Sequence, residues 1–572
     1  MRHNIFRLLL FSGLALLGAG LFRTQVLTGR YYRELSEKNR IRLIPLEAPR
    51  GQVFDRKGNL AATNRPSYDV VATPEDVTPE IFSRLAKLLG IPEKQIRRNM
   101  SASREYPFTP AVIKEDIPLE LVFRMEEHRP ELPGVSIQMS SIRYYPYKET
   151  ASHLIGYIGK INDDEYRRLD RERFGMSSLI GRAGIEKIFD SELRGWRGGR
   201  QIEVDARGEL IRKLSEKLPE PGKDLTLTVD LELQNKIMEL VKGKTASVAI
   251  LDLSTDGLLA MASSPAFDPN VFVSPAQGKE RMRLLKDPVA PMIDRGVSST
   301  YPPGSVFKVV TALAALELGK ITPNTRFFCP GIFRLGAGAR PFHCWQKEGH
   351  GSLDLYQAIE RSCNVYFYNL GSRLSPDEIA RYAREMGLGK SLQIETTHLV
   401  SGLVPTSDWK KEKLHEQWYH GETLSFAIGQ GYLLVSPLQI LRLTAMIAKE
   451  GRKVEPTLLV QDPEKANTVP QIAIKEENLK VIKRAMLKVV ESEYGTGQLA
   501  RVDLGKMAAK TGTAQSPPED PHSWMTGFFP YEKPEIAFVV FVEHGGPGGI
   551  TAAHVVKEMI QIWRQPNAPK VG

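Results

Sequence analysis

Residues 246–263 read ASVAILDLSTDGLLAMAS. Two β-rich runs, 246–253 and 258–263, are joined through Ser254, Thr255, Asp256 and Gly257, a polar turn whose Asp-Gly pair suits the left-handed positions of a hairpin. An amphipathic helical pattern over 230–241 precedes them. The strand signal returns only near the other end of the chain, at 506–514, 523–529 and 536–543, followed by a helical pattern over 552–564. Helix, two strands, a long helical middle, three strands and a helix predict one antiparallel sheet built from both ends of a domain, with helices on its faces. The fold class is α+β.

Between the two halves of this sheet lies Pro302-Pro303-Gly304-Ser305-Val306-Phe307-Lys308, followed by an almost wholly apolar run that stops at Gly319. It predicts a buried helix starting at Ser305, with Ser305 and Lys308 on one face and the helix N-terminus offering N–H groups to a developing oxyanion. Lys308 can act as a base only when neutral, which burial and a nearby cation favour. A Ser-x-x-Lys pattern alone arises by accident on the order of twice in a chain this long. Two further elements change its weight: Ser362-Cys363-Asn364 at the end of a helical pattern over 355–361, and Lys510-Thr511-Gly512-Thr513 in a small-residue strand. In this reading Lys510 binds a substrate carboxylate and helps to keep Lys308 neutral, Ser362 relays a proton, and Asn364 holds a substrate amide. Gly512, with Ala508 and Ala509, lets a peptide lie along the strand edge. A capping serine, a surface serine and an ordinary turn are the bland alternative for the three elements.

The chain has 572 residues, and at roughly 100–200 residues per domain it holds about three or four units. With 42% apolar and 25% charged residues it is neither disordered nor a polytopic membrane protein, and three cysteines exclude a disulfide framework. The net charge of +10 is compatible with nucleic acid, an acidic membrane face or an anionic polymer, and selects none of them. Residues 8–22 form an apolar run behind Arg2 and Arg7, extended by Ile5, Phe6, Val26 and Leu27. This predicts a single spanning helix in preference to a cleaved signal, with the N-terminus in the cytoplasm and everything after residue 28 exported. After a polar helical pattern over 31–42, residues 45–222 read as short strands, turns and small helices at 79–89 and 118–127, with an extended passage over 143–147 and a linker over 213–224. The expected domains are therefore a cytoplasmic start and membrane anchor at 1–28, a non-catalytic pedestal at 29–222 and a catalytic domain at 223–572.

In these motifs the chain resembles the penicillin-recognising serine transferases, and within them the class B penicillin-binding proteins. Arg50-Gly51-Gln52-Val53-Phe54-Asp55-Arg56 and Gly181-Arg182-Ala183-Gly184-Ile185-Glu186 resemble that family's dimerisation-type pedestal. Trp418-Tyr419-His420-Gly421-Glu422-Thr423 with Ile428-Gly429-Gln430-Gly431 is most similar to the elongation-type group, penicillin-binding protein 2, with the division type as the near alternative. The resemblance implies a peptidoglycan D,D-transpeptidase of the inner (cytoplasmic) membrane with its catalytic domain in the periplasm, active in cell elongation and shape maintenance. Ser305 is then acylated by a D-Ala-D-Ala stem or by a β-lactam, with the N–H groups of Ser305 and Thr513 as oxyanion hole and with some D-Ala-D-Ala carboxypeptidase activity. Residues 29–220 are too few and too irregular for a glycosyltransferase module. The implied partners are thus the stem peptides and lipid-linked precursor strands, the membrane and a separate SEDS-family (RodA-type) polymerase, but no nucleic acid. A β-lactamase would need no membrane stem, and a β-lactam sensor would need a cytoplasmic module where about seven residues precede the apolar run. A scaffold that mainly activates the polymerase is the reading from another class, and intact Ser305, Lys308 and Lys510 speak against it.

Cys329, Cys344, His350 and Cys363 have the ligand types of a closed tetrahedral zinc site, structural and not catalytic. Some relatives of the elongation type are similar in carrying a metal at such positions, with His343 as a substitute ligand. A Cys329–Cys344 disulfide or three unrelated buried thiols are the alternatives. No organic cofactor is expected.

Overall fold

The computed structural model describes the chain apart from residues 1, 32–40, 75, 102–109, 171–172, 175–177, 205–209, 337, 461–469 and 566–572. Helix α1 (Arg2–Phe22) continues through a π-helical turn, Arg23–Leu27. Together Asn4–Leu27 make 24 residues, within which an 18-residue stretch has mean hydropathy 2.0 and is wholly unburied. At about 1.5 Å per residue the length suffices for a hydrocarbon core of about 30 Å. Most of the helical pattern over 31–42 falls outside the described residues. Its end is corrected: Ile41–Leu46 is strand β1, where β-branched residues and an edge position suit an extended chain that includes Pro45.

Among the described residues the pedestal has a two-stranded ribbon that pairs Ile158–Lys160 with Leu179–Gly181, and two larger sheets. One contains β2 (Val53–Phe54), the long β3 (Leu60–Ala72), β4 (Ala111–Lys114) and β5 (Val135–Tyr144), with α2 (Pro79–Leu89) and α3 (Leu119–Glu127) beside it. The other pairs β1 with β6 (Gly198–Val204) and β6 with β7 (Leu210–Lys217), all antiparallel. Residues 213–217, expected in a linker, are therefore paired strand. The pairs Arg200–Glu216 (2.6 Å) and Arg212–Glu203 (2.7 Å) tie this strand to its neighbour, and Pro219, Pro221 and Gly222 confine the irregular link to the residues after it. The extended passage expected over 143–147 ends at Tyr144. Strand β8 (Leu225–Thr226) then joins the pedestal sheet in parallel with β2.

The two pedestal motifs meet in space. Arg50 Nε lies 2.7 Å from Glu186, Arg143 Nε 2.6 Å from the same carboxylate, and Arg50 Nη2 2.9 Å from Asp190. Glu186 is fully buried, and although burial raises its pKa, Arg50 and Arg143 hold the carboxyl below its ordinary value.

Past the link, Asp230 accepts hydrogen bonds from the N–H groups of Glu232 and Leu233 and caps α4 (Leu231–Leu240). The opening stretch forms the expected hairpin, β9 (Ala246–Asp252) and β10 (Leu258–Ser264), with Asp256 left-handed in its turn. The helical middle includes α5 (Lys308–Glu317), the small ribbon β11 (Ile332–Phe333) and β12 (Phe342–His343), α6 (Leu355–Glu360), α7 (Asn364–Gly371) and α8 (His420–Ala427). Strands β13 (Ala508–Ser516), β14 (Glu519–Phe529) and β15 (Ile536–Val542) precede the closing α9 (Thr551–Arg564). The sheet order is β10-β9-β15-β14-β13, antiparallel throughout. Alternation splits its side chains: Val248, Ile250 and Val540 face α4 and α9, whereas Ala249, Leu251 and Phe541 face the helical middle around α5. Both faces are covered, and β13 is left as the edge beside the Ser305 turn.

Candidate active site and thiol cluster

Gly304–Phe307 form a single 3-10 turn and α5 begins at Lys308, so the helix expected to start at Ser305 starts three residues later. Gly304 has φ +55°, its N–H donates to Gly429 O at 2.9 Å, and a Cβ there would lie 2.8 Å from Thr513 O. Only glycine meets both demands. Its close approach sets Ser305 beside Thr513, the two residues expected to supply the oxyanion N–H groups. Ser305 itself is half-buried and lines the cleft.

Lys308 is fully buried, and its Nζ donates to Ser362 O (2.7 Å), Ser362 Oγ (3.3 Å) and Asn364 Oδ1 (2.7 Å). Burial pulls its pKa down to about 8, against an opposing pull from Cys363 and Cys344. Among the described residues the Ser305 hydroxyl makes no hydrogen bond. Three oxygens on the 362–364 segment hold the ammonium instead of one hydroxyl, an arrangement usual in a site without substrate.

Ser362 follows α6 at φ +52°, a left-handed position that is costly for a residue with a Cβ and characteristic of functional turns. Its Oγ is bracketed by Lys308 and by Lys510 Nζ at 3.0 Å. Lys510 is fully buried, donates also to Thr511 O (2.8 Å), and is held well below the ordinary lysine value by burial and then by Lys308. It reaches the cleft through Ser362, while Thr511 and Thr513 line the cleft themselves. Gly512 also meets a packing need that the sequence did not show. A Cβ there would stand 3.0 Å from Pro303 O, Val306 and Trp524, so the glycine admits the Ser305 turn, and Ala508 and Ala509 are buried in the core. The sequence offered no sign of Thr496, whose hydroxyl lies 2.7 Å from that of Thr511 and which also lines the cleft.

The sequence-expected metal ligands are brought together. The ligand atoms of Cys329, Cys344, His350 and Cys363 all lie within 4.8 Å of one another, with His350 Nδ1 3.6 Å from Cys329 Sγ and 3.5 Å from Cys344 Sγ. Tetrahedral zinc with thiolate bonds of about 2.3 Å sets its ligands about 3.5–3.8 Å apart, so this donor set and spacing fit such an ion. The three thiols are free and buried. His343 is not a member of the group: it is exposed on β12, and its carbonyl accepts from Asn364 Nδ2 at 3.2 Å. The cluster does more than join loops. Cys329 and Cys344 bracket the base of an arm, residues 330–343, and Cys363 sits between Ser362 and Asn364 and caps α7.

The cleft measures about 1230 Å³. One wall is the β13 side, with Thr496, Thr511 and Thr513. The other is the arm, with Arg340, Phe342 and His343, facing Trp418, Glu422 and Tyr432. Phe342 and Leu335 of the arm reach α8, their nearest atoms 3.3 and 4.0 Å from the Cβ position of Gly421. Beneath this wall lies Lys410, a buried cation invisible to motif reading, 2.6 Å from Glu422 and 4.6 Å from the centre of the Tyr419 ring. It pins the Trp418–Thr423 segment in place.

A serine on a 3-10 turn, two buried lysines joined through a second serine, and threonine hydroxyls on an edge strand together suit acyl transfer from a carboxylate-bearing substrate. The comparisons agree. The penicillin binding protein transpeptidase domain matches residues 246–561, and the penicillin-binding protein dimerisation domain residues 45–227. The chain is 32% identical over 604 residues to peptidoglycan D,D-transpeptidase MrdA of Haemophilus influenzae, covering 99% of this chain and 92% of the relative. Among solved structures it is similar to penicillin-binding protein 2 of Helicobacter pylori in complex with MreC (TM-score 0.80, 27% identity, 91% of this chain and 99% of that one). A chain from a peptidoglycan synthase complex that coordinates polymerization and crosslinking also matches (TM-score 0.74, 30% identity, 100% of both chains). The chain belongs to the class B penicillin-binding proteins, as a D,D-transpeptidase of the penicillin-binding protein 2 type.

Proposed function

We propose that the protein cross-links peptidoglycan by serine-type D,D-transpeptidation during cell elongation, with Ser305 as nucleophile. The observation that carries this assignment of roles is the buried chain Lys308 Nζ–Ser362 Oγ–Lys510 Nζ, which reaches the cleft beside Ser305. Neutral Lys308 takes the Ser305 proton as Oγ attacks the carbonyl of the penultimate D-alanine, and the N–H groups of Ser305 and Thr513 receive the oxyanion. Ser362 passes a proton to the departing D-alanine amine. Thr511 and Thr513 hold the substrate carboxylate by their hydroxyls, Lys510 supplies positive charge behind them, and Asn364 holds the amide that precedes the scissile bond. An amine from a second stem, or water in carboxypeptidation, then releases the acyl group.

Structural zinc on Cys329, Cys344, His350 and Cys363 belongs to the same reading. The ion would hold the base of the arm and the Ser362–Asn364 turn, and it has no open position for chemistry. The boundaries near 28 and 222, the cytoplasmic N-terminus, the periplasmic catalytic domain and a RodA-type polymerase as partner complete the proposal. The similarity to a complexed penicillin-binding protein 2 and to a synthase-complex chain supports a pedestal that docks other proteins. The deciding experiment is labelled penicillin followed by peptide mapping. The label is expected on Ser305 and absent from Ser305→Ala; label on another serine overturns the assignment.

A further inference from the structure

We infer that Trp345 is a positioning residue for acylation: its indole N–H holds the carbonyls of Arg361 and Ser362, so that Ser362 O stays aimed at Lys308 Nζ, and its ring ties that turn to the thiol cluster. This inference rests on the proposed roles of Ser305 and Lys308 and adds a residue that acts on the base through the backbone.

The need for such a residue begins at the end of α6, because a helix leaves its last carbonyls without partners inside the helix. Ser362 N–H donates to Ile359 O at 3.2 Å and Cys363 N–H to Ala358 O at 3.0 Å. This is a Schellman closure, in which the left-handed position is usually glycine and here is Ser362, at φ +52°. A serine stays in that conformation only where its surroundings hold it there. The carbonyls that follow are held from outside the helix. Glu360 O accepts from the Thr496 N–H at 3.2 Å, and Arg361 O and Ser362 O share one donor, the indole Nε1 of Trp345, at 3.1 and 3.2 Å. The same Ser362 O accepts from Lys308 Nζ at 2.7 Å. A carbonyl oxygen has two lone pairs, and here the indole takes one and the base the other. Rotation of the peptide that follows Ser362 would withdraw one of the two 2.7 Å contacts that aim the Lys308 ammonium.

Trp345 is placed to resist that rotation. It follows Cys344 directly, and its ring meets the His350 ring edge to face, with centroids 5.2 Å apart and planes at 66°. The cluster therefore grips the turn twice, through Cys363 in the turn's own backbone and through Trp345 on its carbonyls. Packing does not account for this residue. Trp345 is 56% exposed and lines the cleft together with Ser362. A tryptophan so little buried lends the core little, and what it supplies here is the N–H.

The test uses the full chain in detergent with labelled penicillin, and stopped flow separates the dissociation constant of the non-covalent complex from the acylation rate constant. Two variants remove the N–H. One is Trp345→Phe; in the other, amber suppression puts benzothienylalanine at position 345, which keeps the shape of the ring and carries sulfur in place of the N–H group. Both are expected to acylate about tenfold more slowly, the worth of one hydrogen bond, with the dissociation constant changed by less than about twofold. Thermal melting and titration of free thiols verify the fold and the cluster in each variant. A weaker non-covalent complex with an unchanged acylation rate makes Trp345 a substrate contact and overturns the positioning role. Full acylation rate in the benzothienylalanine variant overturns it too, whatever Trp345→Phe does, because the ring and not its N–H would then matter. If the label falls on a serine other than Ser305 in the unaltered protein, the transpeptidase mechanism itself is wrong; if it falls on Ser305 and both variants keep the full rate, only the role of Trp345 falls.

Discussion

Lys308 and Lys510, both buried where ammonium is poorly solvated, meet at Ser362 Oγ, and in the proposed mechanism this chain serves Ser305 as a proton path. Lys308 lies near its working value, about 8, through burial, so the fraction of neutral base rises with pH. The second-order rate of penicillin acylation is therefore expected to climb from pH 6 and level off above about 8; a profile flat over that range would reassign the base. Lys308→Ala should lower acylation by at least about 100-fold, the scale of general-base catalysis. Lys510→Ala should lower it by about tenfold or more, because Ser362 loses a proton partner and the carboxylate site its positive charge. Stopped-flow acylation of both variants checks the order, and equal effects would merge the two roles.

Elements act by holding these groups in register. The 3-10 turn at 304–307 is pressed against Thr513 by Gly304, where a side chain meets both a left-handed φ and a carbonyl at 2.8 Å. Gly304→Ala should therefore displace Ser305 from its oxyanion partner, cutting acylation by about 10–100-fold at a cost in stability of about 1–2 kcal/mol. Acylation kinetics with a melting curve separate the two effects. The thiol cluster plays the same part for the arm and for α7. One zinc per chain is expected by elemental analysis of protein purified without chelator. Stripping it should lower the melting temperature and slow acylation, since Cys363 lies between Ser362 and Asn364. Metal-free protein with unchanged melting and acylation would return the cysteines to ordinary buried thiols.

Across the whole molecule, one helix fit to span a membrane precedes a pedestal whose two motifs close on each other around Glu186. Because Arg50 and Arg143 hold the Glu186 carboxyl below its ordinary value, the stability it lends is fully present above about pH 4.3. That stability drains away as the pH falls through the lower folded value. Glu186→Gln leaves two buried guanidinium groups facing a neutral amide and should cost about 3–5 kcal/mol at neutral pH, with a shallower acid limb. Urea unfolding at pH 7 and pH 4 measures both. The sequence by itself determined the apolar N-terminal helix and the two-ended antiparallel sheet, and it singled out Ser305, Lys308, Ser362, Asn364, Lys510 and the four metal-type side chains that the fold then gathers. Apolar periodicity and short catalytic patterns are local signals, carried by neighbouring residues. Only the tertiary structure decided that residues 213–217 are paired strand, that Gly512 admits the Ser305 turn, that Lys510 lies behind Ser362, and that Thr496 and Arg340 line the cleft with Lys410 beneath its wall. These depend on which surfaces meet across hundreds of residues, and packing and long-range ion pairing settle that where no local pattern can.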